Sequence, residues 1–229
     1  MATSTIVPFP SQALSGAEAS TLPFSIKDPN TQISVRVDEI NENNKDNLLV
    51  VSPYEEFPHL LDLRTLDTQN QVLARALVGL KCLRDDYATA NYVESFNWPE
   101  VVTHVKRVAA ASSHQWEKGA SWYIVVFRSR IPRSTVYSDL GVLDKAAHAE
   151  ATESGGFLKY WFGSPDSEGR NLATCVWRNA EDARRGSVGV AHKKAAGATR
   201  LLYTEWKIER LRLTINDDAT DWEITEWNE

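Results

Sequence analysis

Glu150 is the first residue in this chain placed to do chemistry. It lies seven residues after Leu143 and three after Ala147, in a stretch that reads as a helix from Thr135 to about Thr152. That spacing sets the carboxylate in the middle of a stripe meant to face a sheet. Burial there would push its pKa up toward the range useful in acid–base catalysis. The same position also suits a buried ion pair with Arg178, Arg128 or Arg210, or a glutamate simply solvated at the helix end. His148 follows Asp144 by four residues, close enough on one helix face for the carboxylate to fix the imidazole in one tautomer. A surface Asp–His pair has the same spacing. His192 belongs to another helical stretch. If both histidines point at the sheet they line one cavity, and His192 alone could instead be an axial haem ligand.

A second group of candidates lies in Phe157 to Arg178, FLKYWFGSPDSEGRNLATCVWR, which reads as a β-hairpin of two aromatic-rich arms joined by a polar turn. Alternation puts Tyr160 and Phe162 on one face of their strand and Trp161 on the other. It likewise groups Cys175 with Trp177, opposite Thr174 and Val176. Aromatic strand faces ordinarily form core, but a cavity lined by Tyr160, Trp177 and Tyr203 would suit a flat, aromatic ligand. Cys175 would need a neighbouring base and exposure to act as a nucleophile. Arg170 and Asn171 fall at the turn, either solvated or holding a ligand at the cavity mouth.

The elements that must position these groups follow from periodicity. Residues 1–30 are rich in Ser, Thr, Ala and Pro and read as a flexible arm. Residues 31–120 read as an N-terminal extension that packs on the main domain. In it, Ile33–Ile40 and Leu48–Val51 form a strand hairpin, and two helices follow. The first is capped by Asp67 or Thr68, with Val72, Leu73, Ala76, Leu80 and Leu83 on its apolar face and Cys82 within it. The second opens on Asn97, Trp98, Pro99 and Glu100, a capping box with a first-turn proline. Residues 121–229 read as strand, helix, strand, strand, helix, strand, with Ser121–Arg130 first, a helix from Asn179 to Ala196 after the hairpin, and a long strand Leu201–Ile215. Asp217 and Asp218 then turn the chain into Trp222–Trp227.

That order predicts an α+β, ferredoxin-like βαββαβ antiparallel sheet with both helices on one face and a C-terminal hairpin. Since Ser121–Arg130 is apolar on both faces, the other face must also be covered, by the N-terminal elements or by a second copy of the chain in a homodimer.

Composition narrows the function classes. The 229 residues are 42% hydrophobic and 24% charged, with a net charge of −6 and no apolar run long enough to span a bilayer. The acidic balance argues against nucleic acid. The two cysteines, Cys82 and Cys175, form no disulfide framework and suit a reducing cytoplasm. Phosphate-loop, nucleophile-elbow and paired zinc-ligand motifs are absent from the sequence, which implies no metal or nucleotide cofactor.

The segments LDKAAHAEATESGGFLKYWFG from Leu143 and GRNLATCVWR from Gly169, with the region around His192 and Tyr203, resemble a family of uncharacterised fungal proteins. The resemblance is strong over roughly the last hundred residues, weaker before them, and implies no activity. The order of elements is similar to that of the dimeric α/β barrel group. That resemblance implies cofactor-free monooxygenases, dehydratases, cyclases or haem enzymes as relatives in fold. Together the residues and the topology point to a cofactor-independent acid–base enzyme for a conjugated apolar small molecule. A non-catalytic ligand-binding or dimerisation module, or a haem protein, stands as the alternative.

Overall fold

A computed structural model of the chain describes residues 46–132, 135, 137–216 and 219–228, with residues 137–139 described in backbone only, all within the unit Ile40–Glu229. The arm at 1–30, the expected strand Ile33–Ile40 and the turn at Asp217 and Asp218 lie outside the described residues. Leu48–Leu49 (β1) pairs antiparallel with Leu61–Asp62 (β2), so the Leu48 run takes a partner downstream of itself.

Helix α1 (Thr68–Leu77) starts where the Asp67 carboxylate accepts the Asn70 N–H at 3.0 Å, and it buries Val72, Leu73, Ala76 and Leu77. It ends sooner than its apolar spacing implied. Leu80 is buried in the connection that follows, Leu83 is 57% exposed, and Cys82 sits in a bridge to Phe96. Gly79, two residues past the helix end, weakens any continuation.

A short helix, α2 (Tyr92–Ser95), precedes α3 (Trp98–Ala111). The expected capping box takes a different form. Asn97 accepts from Lys81 N and donates to Gly79 O and Glu100, so it ties α3 to the preceding loop and caps no amide of its own helix.

The large sheet contains β3 (Ala120–Arg130), β4 (Phe157–Phe162), β5 (Arg170–Trp177), β6 (Glu205–Ile215) and β7 (Trp222–Glu226). Their spatial order is β4-β5-β3-β6-β7, with every neighbouring pair antiparallel. With α4 (Tyr137–Ser154) between β3 and β4, and α5 (Ala180–Gly186) and α6 (Val190–Leu202) between β5 and β6, this is the ferredoxin-like βαββαβ sheet, extended by one edge strand.

The helix expected over Asn179–Ala196 is therefore two helices. Asn179 caps α5 by accepting from Asp182 N. The break has a packing cause: a Cβ at Gly186 would collide with the Trp177 ring, and one at Gly189 with the Glu150 carboxylate. Val190 is 82% exposed. The second helix also runs on to Leu202, through residues that read as strand. A run such as LLYTEW satisfies either period over so short a window.

Alternation along β3 divides the two sides of the sheet. Tyr123, Val125 and Phe127 face α4 and α6. Trp122, Ile124, Val126 and Arg128 face α1 to α3, where the first three share one hydrophobic core with Leu73, Trp98, Val105 and Leu172. Polar contacts fix that second layer. Trp122 Nε1–H donates to Asn70 at 2.7 Å, and the Tyr92 and Thr174 hydroxyls bond at 2.9 Å. The Arg128 guanidinium donates to the carbonyls of Tyr87, Ala88 and Ala90 and to Glu209. Of the two coverings open to this face, the chain supplies its own. No helix among the described residues is long and apolar enough to cross a membrane.

Candidate active site

Between the sheet and helices α4 and α6 lies a cavity of about 1070 Å³. Helix α6 lines it with Ala195 and Ala196 beside His192, Thr199 and Leu202, and buries none of its own residues completely. The floor is apolar, with Val125, Phe127, Ala173 and Cys175 in it, and one polar cluster, Tyr54, Asp144, His148 and Tyr160, lies under α4.

Asp144, expected to orient His148, instead spends both carboxylate oxygens on phenols. The Tyr54 hydroxyl donates to Oδ2 at 2.6 Å and the Tyr160 hydroxyl to Oδ1 at 2.5 Å. Burial raises the Asp144 carboxyl above its ordinary pKa, and the two phenol bonds only partly oppose this. Tyr160 is held well above its ordinary value by burial and by the neighbouring carboxylate, so it remains a donor. One turn along α4, His148 is buried and bonds through Nδ1 to His59 Nδ1 at 2.9 Å. One ring must donate and the other accept. Burial, followed by the neighbouring His59 and His192, lowers the His148 pKa to about 3, and burial lowers His59 as well, so both are neutral near pH 7. Among the described residues, His148 Nε2 is buried with no hydrogen-bond partner.

The expected inward carboxylate is elsewhere. Glu150 does not line the cavity. It accepts the N–H groups of Ala191 at 2.8 Å and His192 at 2.9 Å, at the start of α6. Burial would raise its pKa, but those amides and the His192 ring at 3.3 Å outweigh it and hold the carboxylate below its usual range. Its position three residues past Ala147 is what the helix dictates. The side chain turns to the α6 N-terminus because unpaired amides are a better partner than an apolar cavity.

His192 does line the cavity and so joins His148 there, as do Tyr160, Trp177, Tyr203, Asn171 and Cys175. Asn171 is tied to Gly163 O. Cys175 accepts from Trp177 Nε1 at 3.0 Å, and burial pushes its thiol up to about 12, so it is not an activated nucleophile. Arg170 is not in the wall. It pairs with Glu168 at the hairpin turn.

Tyr54 of the wall, and His59 behind it on His148, escaped the sequence reading. Both lie in the irregular stretch between β1 and β2, where no periodicity signals a facing direction. Their polar and aromatic types within an otherwise structureless loop are the only available hint. The loop clasps α4 at three points: Tyr54 on Asp144, Glu56 on Lys145, and His59 on His148. Among the described residues no group of three or more His, Cys, Asp or Glu is placed to hold a metal ion.

A family model described as PB2B2.08-like matches residues 50–226. The chain belongs to that family. The match takes in the Tyr54–His59 loop and α1 to α3, well beyond the segments in which the resemblance was strongest. The UPF0643 protein PB2B2.08 of Schizosaccharomyces pombe is 36% identical over 200 residues, which span 82% of this chain and 88% of that protein.

Among solved structures, this PB2B2.08-like chain is similar to SnoaB, a cofactor-independent oxygenase from Streptomyces nogalater, with 15% identity and a TM-score of 0.33. The likeness covers 40% of this chain and 90% of that one. A conserved protein from Methanosarcina mazei Go1 matches with 12% identity and a TM-score of 0.36, over 40% of this chain and 91% of that one. The ferredoxin-like assignment rests on the strand order itself.

Proposed function

We propose that this protein catalyses proton transfer on a flat, largely apolar carbonyl compound without a cofactor. In this reading Asp144 takes a proton from a carbon conjugated with the carbonyl, and the electron pair of that C–H bond is delocalised through the ring system onto the carbonyl oxygen. His148, with Nε2 protonated and Nδ1 accepting from His59, donates to the oxygen as charge develops there. Return of the proton to another carbon completes an isomerisation. The same first step opens a cyclisation, a dehydration or an attack on oxygen.

One observation carries this reading. A carboxylate with a raised pKa stands one helical turn from an imidazole whose buried Nε2 has no partner among the described residues, and the two residues line one apolar cavity. Raising a carboxylate pKa by an apolar setting makes it a stronger base, and a neutral imidazole donates without first losing charge. Each Asp144 oxygen keeps a second lone pair after accepting from its tyrosine, so the phenols orient the base and leave it available.

The test is deuterium uptake from D₂O at the ring methylene of anthrone, a tricyclic ketone of suitable shape. Asp144→Asn should slow the enzymatic exchange by about a hundredfold or more, the usual scale of a lost general base. Tyr160→Phe should slow it less. Exchange at the full rate in Asp144→Asn removes Asp144 from the chemistry. Tight binding of anthrone by the native protein with no exchange above buffer replaces the enzyme with a carrier.

A further inference from the structure

The register of the sheet places four cavity-lining residues in one row. Tyr160 of β4 stands opposite Cys175 of β5, Cys175 opposite Val125 of β3, and Val125 opposite Arg210 of β6. With neighbouring strands about 4.8 Å apart, the backbones at the two ends of this row are roughly 14 Å from each other. At one end Tyr160 holds the Asp144 carboxylate, and the middle is apolar.

The other end carries an unneutralised cation. Three cationic side chains line the cavity among the described residues. Lys145 pairs with Glu56 and Arg184 pairs with Glu181, whereas Arg210 has no carboxylate partner among the described residues. An exposed arginine is ordinarily just hydrated. Arg210 differs in its place, at the end of an apolar floor and flanked on its own strand face by Ile208 and Trp206. Trp206 in turn stacks on Tyr203 at 4.9 Å and on Phe127 at 5.6 Å.

We infer that Arg210 anchors an anionic group at the far end of the ligand, so that the substrate class is an elongated planar acid. Its carboxylate sits on the guanidinium, its ring system lies over Val125 and Cys175, and its reacting carbon reaches Asp144. A guanidinium with no internal partner offers a bidentate fork to a carboxylate, and the surrounding rings favour a flat apolar body over a hydrated small anion. The assignment of the reacting end rests on the proposed function; the anion anchor does not.

The two are separable by experiment. Binding of anthraquinone carboxylate and of its methyl ester is followed by quenching of tryptophan fluorescence at low salt. The native protein should prefer the acid by about tenfold, a single charge-assisted contact's worth of affinity. Arg210→Gln should abolish that preference while ester binding and the unfolding midpoint stay unchanged, and Arg210→Lys should keep part of it. Added salt should narrow the gap.

Equal binding of acid and ester by the native protein, an undiminished preference in Arg210→Gln, or no binding of either compound overturns the inference. A preference that depends on Arg210, in a protein that exchanges no anthrone deuterium, keeps the anchor and discards the Asp144 chemistry. Exchange that depends on Asp144 with no acid preference does the reverse.

Discussion

His148 shows how one buried side chain couples the site to stability. The unfolded chain takes up a proton on this ring near the ordinary value of 6.5, whereas the folded protein resists until about 3. Between those values the unfolded state binds more protons. Stability that is complete above pH 6.5 therefore falls as the pH drops through the window, by up to about 1.4 kcal/mol per pH unit for a single group. His59, lowered in the same direction, adds to the fall. Denaturant unfolding from pH 7 to pH 4 should show this slope, and His148→Phe should make it shallower; an unchanged slope would place the acid sensitivity elsewhere.

Cys175 gives a second check at this scale. With its thiol buried and raised to about 12, iodoacetamide at pH 8 should leave it unmodified in the native protein, so intact mass should show at most the Cys82 adduct until the chain is unfolded. The positions of Asp144, His148, Tyr160 and Cys175 were legible because helical and strand periods fix which way a side chain faces. What each would bond to was not. Asp144 chose two tyrosines over the histidine four residues on, and one of those tyrosines comes from a loop without a period.

Among the elements, α6 depends most on a single contact. It has no side-chain cap of its own, since Gly189 holds the N-cap position, and Glu150 from α4 supplies the missing acceptor. Glu150→Ala should cost about 1 kcal/mol, the usual price of a lost cap. Hydrogen exchange should quicken at Ala191 and His192 while β3 amides stay protected. Uniform protection in the variant would mean that α6 is held by packing alone. The division of the expected helix into α5 and α6 has a partial sequence signal in Gly186 and Gly189, since glycine weakens a helix interior. That they terminate one helix and start another depends on Trp177 and Glu150 lying against them, contacts that span the sheet and its helices and leave no local trace.

For the molecule as a whole, the βαββαβ order was readable because strong strand and helix periods alternate from Ser121 onward, and the connection rules leave few ways to arrange them. The covering of the second sheet face was readable only as a need. Arg128 ties that covering down, donating to three loop carbonyls and to Glu209. Arg128→Ala should destabilise the protein by about 2–4 kcal/mol, since several partly buried acceptors would lose their donor at once. A urea midpoint within error of the native one would show that water replaces the guanidinium without cost.

The clasp between β1 and β2 also sets the order in which the protein should fail on warming. Tyr54 lines the cavity and His59 backs His148 from a segment with only a two-residue strand on either side, while the groups they meet stand on α4 beside a five-stranded sheet. Irregular segments open at lower free energy than sheet cores. Ligand binding should therefore decay several degrees before the circular dichroism of the sheet changes. Heat would then disarm the protein by parting two stretches of chain while each remained folded.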